Sequence, residues 1–398
     1  MEKWDLKWSK FSLTMHLTYG PYLKYKTTNS SGEWTGSILL LSAEALRVLP
    51  AIYVSDKSKE FEVLPIILDN AFGYNFLRFD LTLRQSEFKT KEFNYSVRVE
   101  DDTGTIQSKD YQFYIAGSQE PWRSVFFSCN GYSESVKKIV EGKPKVGGLW
   151  KEIMQMHKSL RRDSATTFLD GIEFSNGPWH VQIGGGGQIY SDEVFEVASS
   201  LTEWIATNKH VERIKIPFSK AMDYDVSKFY FDLYTQQFSE PIYADALASI
   251  PCLNNWDDHD IFDGFGSHNS SFQTSPVVQG LGKVALRFYL LFQQHTNPLI
   301  AREDGFFGAK GYHYVTNMGP RVGVLGIDNR WERSKHDVVL RDSYEMIWEN
   351  LKALPDTIQH ILVLAPIPVA FPDLTVCFVN LLPAHSCTSD LSQFLLGR

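Results

Sequence analysis

Six side chains that can bind metal ions or transfer protons lie at, or just after, the ends of apolar segments. They are Cys129, Tyr190, Asp257, Asp258, His259 and Asp328. Because open α/β sheets place ligands at the carboxyl ends of their strands, we expect these side chains to converge at one sheet edge. Their spread along the chain is typical of a metal site rather than of a catalytic triad.

The densest of these positions is residues 256–260, with the sequence WDDHD. Carboxylate oxygens bind divalent cations, and a neighbouring imidazole can protonate a leaving oxygen. The alternative is a polar loop whose aspartates form turns and helix caps. Three acids around His259, with Trp256 before them and apolar residues 261 and 262 after them, favour a site.

Four consecutive glycines, residues 184–187, separate an alternating segment at 180–183 from apolar residues at helical spacing over 194–205. This pattern predicts a strand, a sharp glycine turn and a helix. A flexible corner is the simplest interpretation of the glycines. A phosphate-binding loop of a nucleotide-binding protein is the weaker alternative, because a Walker loop needs Gly-Lys-Ser/Thr where this chain has Gly-Gln-Ile.

Two domains are predicted from the length of 398 residues. Residues 1–118 carry short alternating segments, such as 77–84 and 93–100, which indicate an all-β sandwich. From residue 119 onward strands and helices alternate, with helices expected at 149–160, 281–295 and 344–354 and strands at 124–128, 322–327 and 361–364. Residues 119–398 therefore read as an α/β domain with helices covering both sheet faces.

Composition narrows the functional classes. The net charge is −8 and no basic run occurs, so no nucleic-acid partner is expected. The amino terminus MEKWDLKW lacks the apolar core of a signal peptide, and the late apolar run over 361–371 is too short to span a bilayer. Four scattered cysteines indicate a reducing compartment. A cytoplasmic protein without a transmembrane segment is expected.

Several motifs together resemble the alkaline phosphatase D (PhoD-like) family in its fungal-type form. They are FSCNG at 127–131, GGQIYSD at 186–192, NWDDHDIFDG at 255–264, and the pair Asp328-x-Arg330. In the amino-terminal region, GPY at 20–22 and the strand at 34–41 also look like that family. The resemblance covers essentially the whole chain.

The resemblance implies a metallophosphoesterase-like α/β/β/α sandwich preceded by an all-β domain, with iron and calcium or similar metal ions as cofactors. It implies hydrolysis of phosphate mono- or diesters, the substrate being a small phosphate ester or a phospholipid-type molecule. In this family pattern Cys129, Tyr190 and Asp258 match metal ligands. His259 matches the residue that assists the leaving group, and Arg330 matches a basic position that supports the site.

Two departures from the family pattern bear on activity. Gly187 stands where the family has the aspartate that bridges two metals, and two dications about 3.5–4 Å apart need a shared anion. A late Gly-Asp-Val-His segment with further ligands is also unmatched, and His385 lies in no corresponding motif. We therefore expect a shortened or alternatively spliced product with weak or no phosphoesterase activity. A non-catalytic pseudophosphatase or binding protein on the same fold is the alternative.

Overall fold

A computed structural model of the chain describes residues 18–56, 59–101, 103–131, 148–159, 167–169, 172–174, 177–207 and 209–367. The described residues up to Pro366 form one compact unit. Within these ranges, no helix combines the length and apolar character needed to cross a membrane.

The first eight strands form a β-sandwich. They are β1 (Thr18–Thr28), β2 (Glu33–Ala43), β3 (Ala51–Ser55), β4 (Glu60–Val63), β5 (Pro65–Ala71), β6 (Tyr74–Arg84), β7 (Lys91–Glu100) and β8 (Ile106–Ile115). One antiparallel layer has the order β5-β6-β2-β1 and the other β4-β3-β7-β8. Because side chains alternate along each strand, Leu77 and Phe79 meet Phe93 and Tyr95 in one core. The predicted all-β sandwich is confirmed.

Later strands extend the layer that contains β1. They are β9 (Ser124–Phe127), β12 (Val181–Gly184) and β13 (Cys252–Asn254), while β10 (Thr167–Leu169) and β11 (Ile172–Phe174) form a separate hairpin. The resulting seven-stranded sheet has the order β5-β6-β2-β1-β13-β12-β9. Its last three strands are parallel to one another, and β13 is parallel to β1. This sheet contains strands from both sides of the boundary predicted at residue 118. The two-domain division stays a prediction.

Helices cover one face of the seven-stranded sheet, and the last described helix of the chain packs on a different sheet. In chain order the helices are α1 (Leu149–Ser159), α2 (Val194–Val197), α3 (Ser199–Ile205), α4 (His210–Arg213), α5 (Lys220–Phe238), α6 (Pro241–Ser249), α7 (Ser270–Gln273), α8 (Pro276–Phe292) and α9 (Arg341–Lys352). Ser275 is the N-cap of α8, because its hydroxyl accepts the Val278 N–H at 3.4 Å. Tyr234 of α5 stacks on Phe292 of α8, 4.6 Å between ring centres, and both rings join Tyr22 in the core on that face.

A three-stranded sheet packs on the other face of the seven-stranded sheet, against its strands β12 and β13. It consists of β14 (Tyr314–Asn317), β15 (Val322–Gly326) and β16 (His360–Leu364), in that order. Its Val324 shares a core with Val181 and Ile183 of the first sheet, whereas Leu325 points to Ile347 of α9 on the outer side. The layers are therefore helix, sheet, sheet and helix, and the implied α/β/β/α sandwich is confirmed. The expectation of helices on both faces of one sheet is wrong, because each sheet uses its inner face to pack against another sheet.

Candidate active site

Three loops meet at the edge where β9, β12 and β13 end. The backbone N–H of Cys129 donates to the Gly186 carbonyl at 2.9 Å, and that of Asn130 donates to the Gly187 carbonyl at 2.7 Å. On the other side, the N–H of Asn255 donates to the Gly184 carbonyl at 2.8 Å. These hydrogen bonds continue the parallel ladder beyond the strands, so the three loops are held as one surface.

Gly187 lies between Cys129 and Asp257. A Cβ added at Gly187 would lie 3.2 Å from the Cys129 Cα and 3.5 Å from Asp257 Oδ2. Both Gly187 and Cys129 have left-handed backbone, with φ of 68° and 66°. Glycine adopts that conformation without strain, and aspartate is among the few other residues that tolerate it. A side chain at position 187 would thus begin between the backbone of Cys129 and the carboxylate of Asp257.

Tyr190 adds a phenol beside the thiol. Burial and then the neighbouring Cys129 hold the pKa of the Tyr190 hydroxyl above its usual range. The exposed Cys129 thiol accepts a hydrogen bond from the Ser128 hydroxyl at 3.6 Å. The Tyr190 phenol therefore contacts the Cys129 thiol, and the charge of Asp257 also acts on the phenol.

His259 is held in one orientation by two contacts. Its Nδ1 lies 2.9 Å from Asp192 Oδ2, and its ring stacks on Tyr190 with 4.5 Å between centres and an angle of 12°. The other Asp192 oxygen accepts the Asp263 N–H at 2.7 Å, which fixes the carboxylate in turn. The hydrogen bond with Asp192, opposed by burial and aided by the charges of Asp257 and Asp258, raises the pKa of His259 to about 9. The imidazole is protonated at neutral pH and can donate a proton.

The two neighbouring aspartates have different surroundings. Asp258 Oδ1 lies 3.1 Å from Arg330 Nη2, and its Oδ2 accepts the Gly264 N–H at 2.9 Å. Asp257 uses Oδ1 to accept the His259 N–H at 2.9 Å, and its Oδ2 lies 3.5 Å from the Cβ position of Gly187. Burial and the charge of Asp258 raise the pKa of Asp257. Asp258 thus contacts Arg330, and Asp257 faces the space beside Cys129.

Asp260 ties the glycine loop to the acidic loop from below. Its buried carboxylate accepts the N–H groups of Gly187 at 2.9 Å and of Asp257 at 3.0 Å. The side-chain amide of Gln293, at the end of α8, donates to the same carboxylate at 2.9 Å. Burial, with the nearby charge of Asp257, raises the pKa of Asp260 to about 7. This acid fixes the loops and does not present its oxygens to the surface.

Asp328 has a structural role beneath the site. Its Oδ1 accepts the indole N–H of Trp256 at 2.9 Å and the Trp331 N–H at 3.0 Å, and its Oδ2 accepts the Tyr312 N–H at 2.9 Å. Both oxygens of Asp328 are therefore occupied by protein donors, as are those of Asp258. Asp328 orients the turn that carries Arg330.

The model of PhoD related phosphatases matches residues 83–380. The chain belongs to this family. It is 26% identical over 322 residues to an uncharacterized protein of Saccharomyces cerevisiae, an alignment that covers 72% of this chain and 43% of the relative. A solved structure of PhoD aligns with a TM-score of 0.48 and 10% identity, covering 89% of this chain and 63% of that one. The chain spans less than half the length of the yeast relative.

Glu332, two residues after Arg330, accepts hydrogen bonds from two other loops, and sequence reasoning missed it. Burial alone would raise its pKa, but contacts with His313 and Ser343 and the N–H groups of Lys310 and Gly311 lower the pKa to about 2. The Ser343 hydroxyl lies at 2.6 Å and the Gly311 nitrogen at 2.7 Å from its Oε1. No signal in the sequence separates this acid from a solvated one.

We expect Glu332→Gln to lower the free energy of unfolding by roughly 3 kcal/mol at pH 7. The folded-state pKa is depressed, so this stabilisation is present above the unfolded-state pKa and is lost as pH falls toward 2. Urea unfolding at pH 7 and pH 3.5 should therefore show a smaller difference from wild type at the lower pH. The exposed Glu345→Gln is the control, and an equal difference at both pH values would contradict the assignment.

Proposed function

We propose that this chain is a metal-dependent hydrolase of phosphate mono- or diesters that holds one cation and turns over slowly. The observation that carries the proposal is the meeting of Cys129, Tyr190 and Asp257 around Gly187, next to the His259–Asp192 pair. Membership of the PhoD-related family supplies the reaction class. The substrate class and the metal remain proposals.

The donor set fits one cation. A thiolate, a phenolate and a carboxylate are ligands of transition metals, and a bound cation would favour loss of the protons that the thiol and the phenol carry without it. No three His, Cys, Asp or Glu side chains gather as a metal site in the part of the chain that the structure describes. With only a hydrogen atom at position 187, no anion is available there to separate two cations. A bound cation would supply charge stabilisation for the phosphoryl oxygens.

His259 is the proposed proton donor to the leaving oxygen. Asp192 occupies Nδ1, so Nε2 is the atom from which the proton leaves. Stacking on Tyr190 keeps the ring from turning. Asp258, which the family pattern matches to a metal ligand, is proposed instead to position Arg330, because both its oxygens already have protein partners.

The metal proposal is tested by elemental analysis and by hydrolysis of an aryl phosphate and an aryl diester. We expect Cys129→Ala to lower metal affinity by about 10-fold or more, because even the loss of outer-shell partners has effects of that size. Cys252→Ala, which removes the buried thiol of β13, is the matched control. Chelation should abolish hydrolysis in wild type. The proposal is contradicted if the wild-type protein contains no metal and its hydrolysis is unaffected by chelation.

Gly187→Asp gives a second, independent readout. Aspartate at this position must adopt the left-handed backbone conformation, which costs about 1–3 kcal/mol, and it adds a charge beside Asp257. We expect the metal-free variant to melt below wild type and to gain more stability when metal is added. Gly187→Asn has the same backbone strain without the charge, so it should melt low and gain nothing extra. Equal metal responses of the two variants would contradict the position assigned to residue 187.

A non-catalytic binding protein is the second candidate. The absence of a side chain at Gly187 favours it, because the shared anion of a two-metal site is missing. On this alternative the purified chain binds phosphate esters without hydrolysing them, and His259→Ala leaves the background rate unchanged. Turnover that is abolished by chelation and recovered on adding metal would exclude it.

A further inference from the structure

A second basic side chain lies beside Arg330. Arg333 is one turn away, and its backbone N–H donates to the Arg330 carbonyl at 3.3 Å. Its Nε donates to the Ser267 hydroxyl at 2.8 Å, and its aliphatic stem passes over Gly266, where an added Cβ would lie 2.7 Å from the Arg333 Cβ. These contacts hold the guanidinium over the loop that follows His259.

The hydrogen bonding of this cluster is incomplete among the described residues. Arg330 Nη2 is paired with Asp258 Oδ1 at 3.1 Å, and the side chains are 10% and 14% exposed. Arg330 Nε and Arg333 Nη1 are buried polar atoms without a hydrogen-bond partner among the described residues. Burial, and then the positive charge of Arg330, lower the pKa of Arg333, which places the two cations within reach of each other's field. The Asp258 carboxylate therefore pairs with Arg330 and acts on Arg333 through its charge, and Arg330 acts in addition on Asp257.

The loop around these groups is rigid. Trp331 stacks parallel to Phe265, with 6.1 Å between ring centres, and the Gly266 N–H donates to Gln273 at 2.8 Å. A fixed pair of guanidinium groups with unpartnered nitrogens matches a planar set of anionic oxygens better than lysine ammonium groups do. Water can solvate such a pair, but an oxyanion also neutralises it.

We propose that Arg330 and Arg333 form an oxyanion subsite that takes the dianionic phosphoryl group of a phosphate monoester. The subsite adjoins the proton donor, because Arg330 pairs with Asp258, the residue that precedes His259. Attraction to two guanidinium groups increases with the charge of the anion, so a dianion is favoured over the monoanion of a diester. Only the identity of the anion as substrate rests on the proposed hydrolase function.

Calorimetric titration with inorganic phosphate in a chelating buffer tests the subsite without metal or turnover. We expect wild type to bind phosphate and Arg333→Gln to bind it about 10-fold or more weakly, the range for a hydrogen bond to a charged group. Arg333→Lys should be intermediate, since it keeps the charge without the planar fork. Arg341→Gln, at a position 92% exposed on α9, is the control and should match wild type.

The outcomes separate this inference from the function above. Phosphate binding that is absent in wild type, or equal in wild type and Arg333→Gln, overturns the subsite even if the protein hydrolyses esters. Phosphate binding that depends on Arg333 in a protein without hydrolysis upholds the subsite and removes the hydrolase. Dimethyl phosphate, a monoanion, should bind more weakly than phosphate, and equal binding would overturn the monoester assignment.

Discussion

Replacement of His259 by alanine is expected to lower kcat for an alkyl phosphate by about 10²–10⁴-fold, the range for general acid catalysis. The expectation follows from the hydrogen bond of Nδ1 to Asp192, which leaves the imidazole protonated at neutral pH with one proton to donate. An aryl phosphate with a nitro substituent has a good leaving group and needs little protonation. The loss for that ester should therefore be much smaller.

Rates on the two esters distinguish proton donation from a general disturbance of the site. His336→Ala removes an exposed imidazole near Arg333 and should leave both rates unchanged. Equal losses on the two esters would mean that His259 acts in some way other than by protonating the leaving oxygen. Unchanged rates on both would remove it from the reaction.

The second large effect is on stability. Asp260→Ala is expected to lower the free energy of unfolding by about 3–5 kcal/mol, because it leaves buried donors of Gly187, Asp257 and Gln293 without an acceptor. Urea unfolding of purified protein measures the loss. Asp263→Ala, an exposed carboxylate three residues along the same loop, should stay within about 0.5 kcal/mol of wild type.

A loss below about 1 kcal/mol for Asp260→Ala would show that water replaces the carboxylate in this network. The variant also has a consequence at the surface. Gly187 and Asp257 are held by the same acid, so metal affinity should fall together with stability. If the variant is destabilised but binds metal like wild type, the hydrogen bonds from Gly187 and Asp257 to Asp260 are not needed for metal binding.

Sequence reasoning identified the loops of the site because the chemistry of Cys129, Tyr190 and His259 coincides with the ends of apolar segments. Parallel strands bring such ends together without any further information. The sandwich was predictable for a similar reason, since alternating side chains along β6 and β7 assign one face of each strand to a core. Helices α1, α8 and α9 also lie close to their predicted ranges.

The parts that were missed depend on contacts between distant residues. The α5 helix buries Tyr230, Phe231 and Tyr234 on different sides, because it packs against the sheet, α8 and the acidic loop together. It therefore has no single apolar stripe to recognise. Asp192 and Asp260 contact partners some 70 positions away, and the chain gives no local mark of which acids are buried.

The pairing of β1 with β13 ties the two halves of the chain together. Lys24 stands opposite Cys252 in a parallel register, so the edge of the strand that leads to the acidic loop is covered by the sandwich. A protein with this arrangement cannot exchange its amino-terminal half as an independent module without leaving that edge open to self-association.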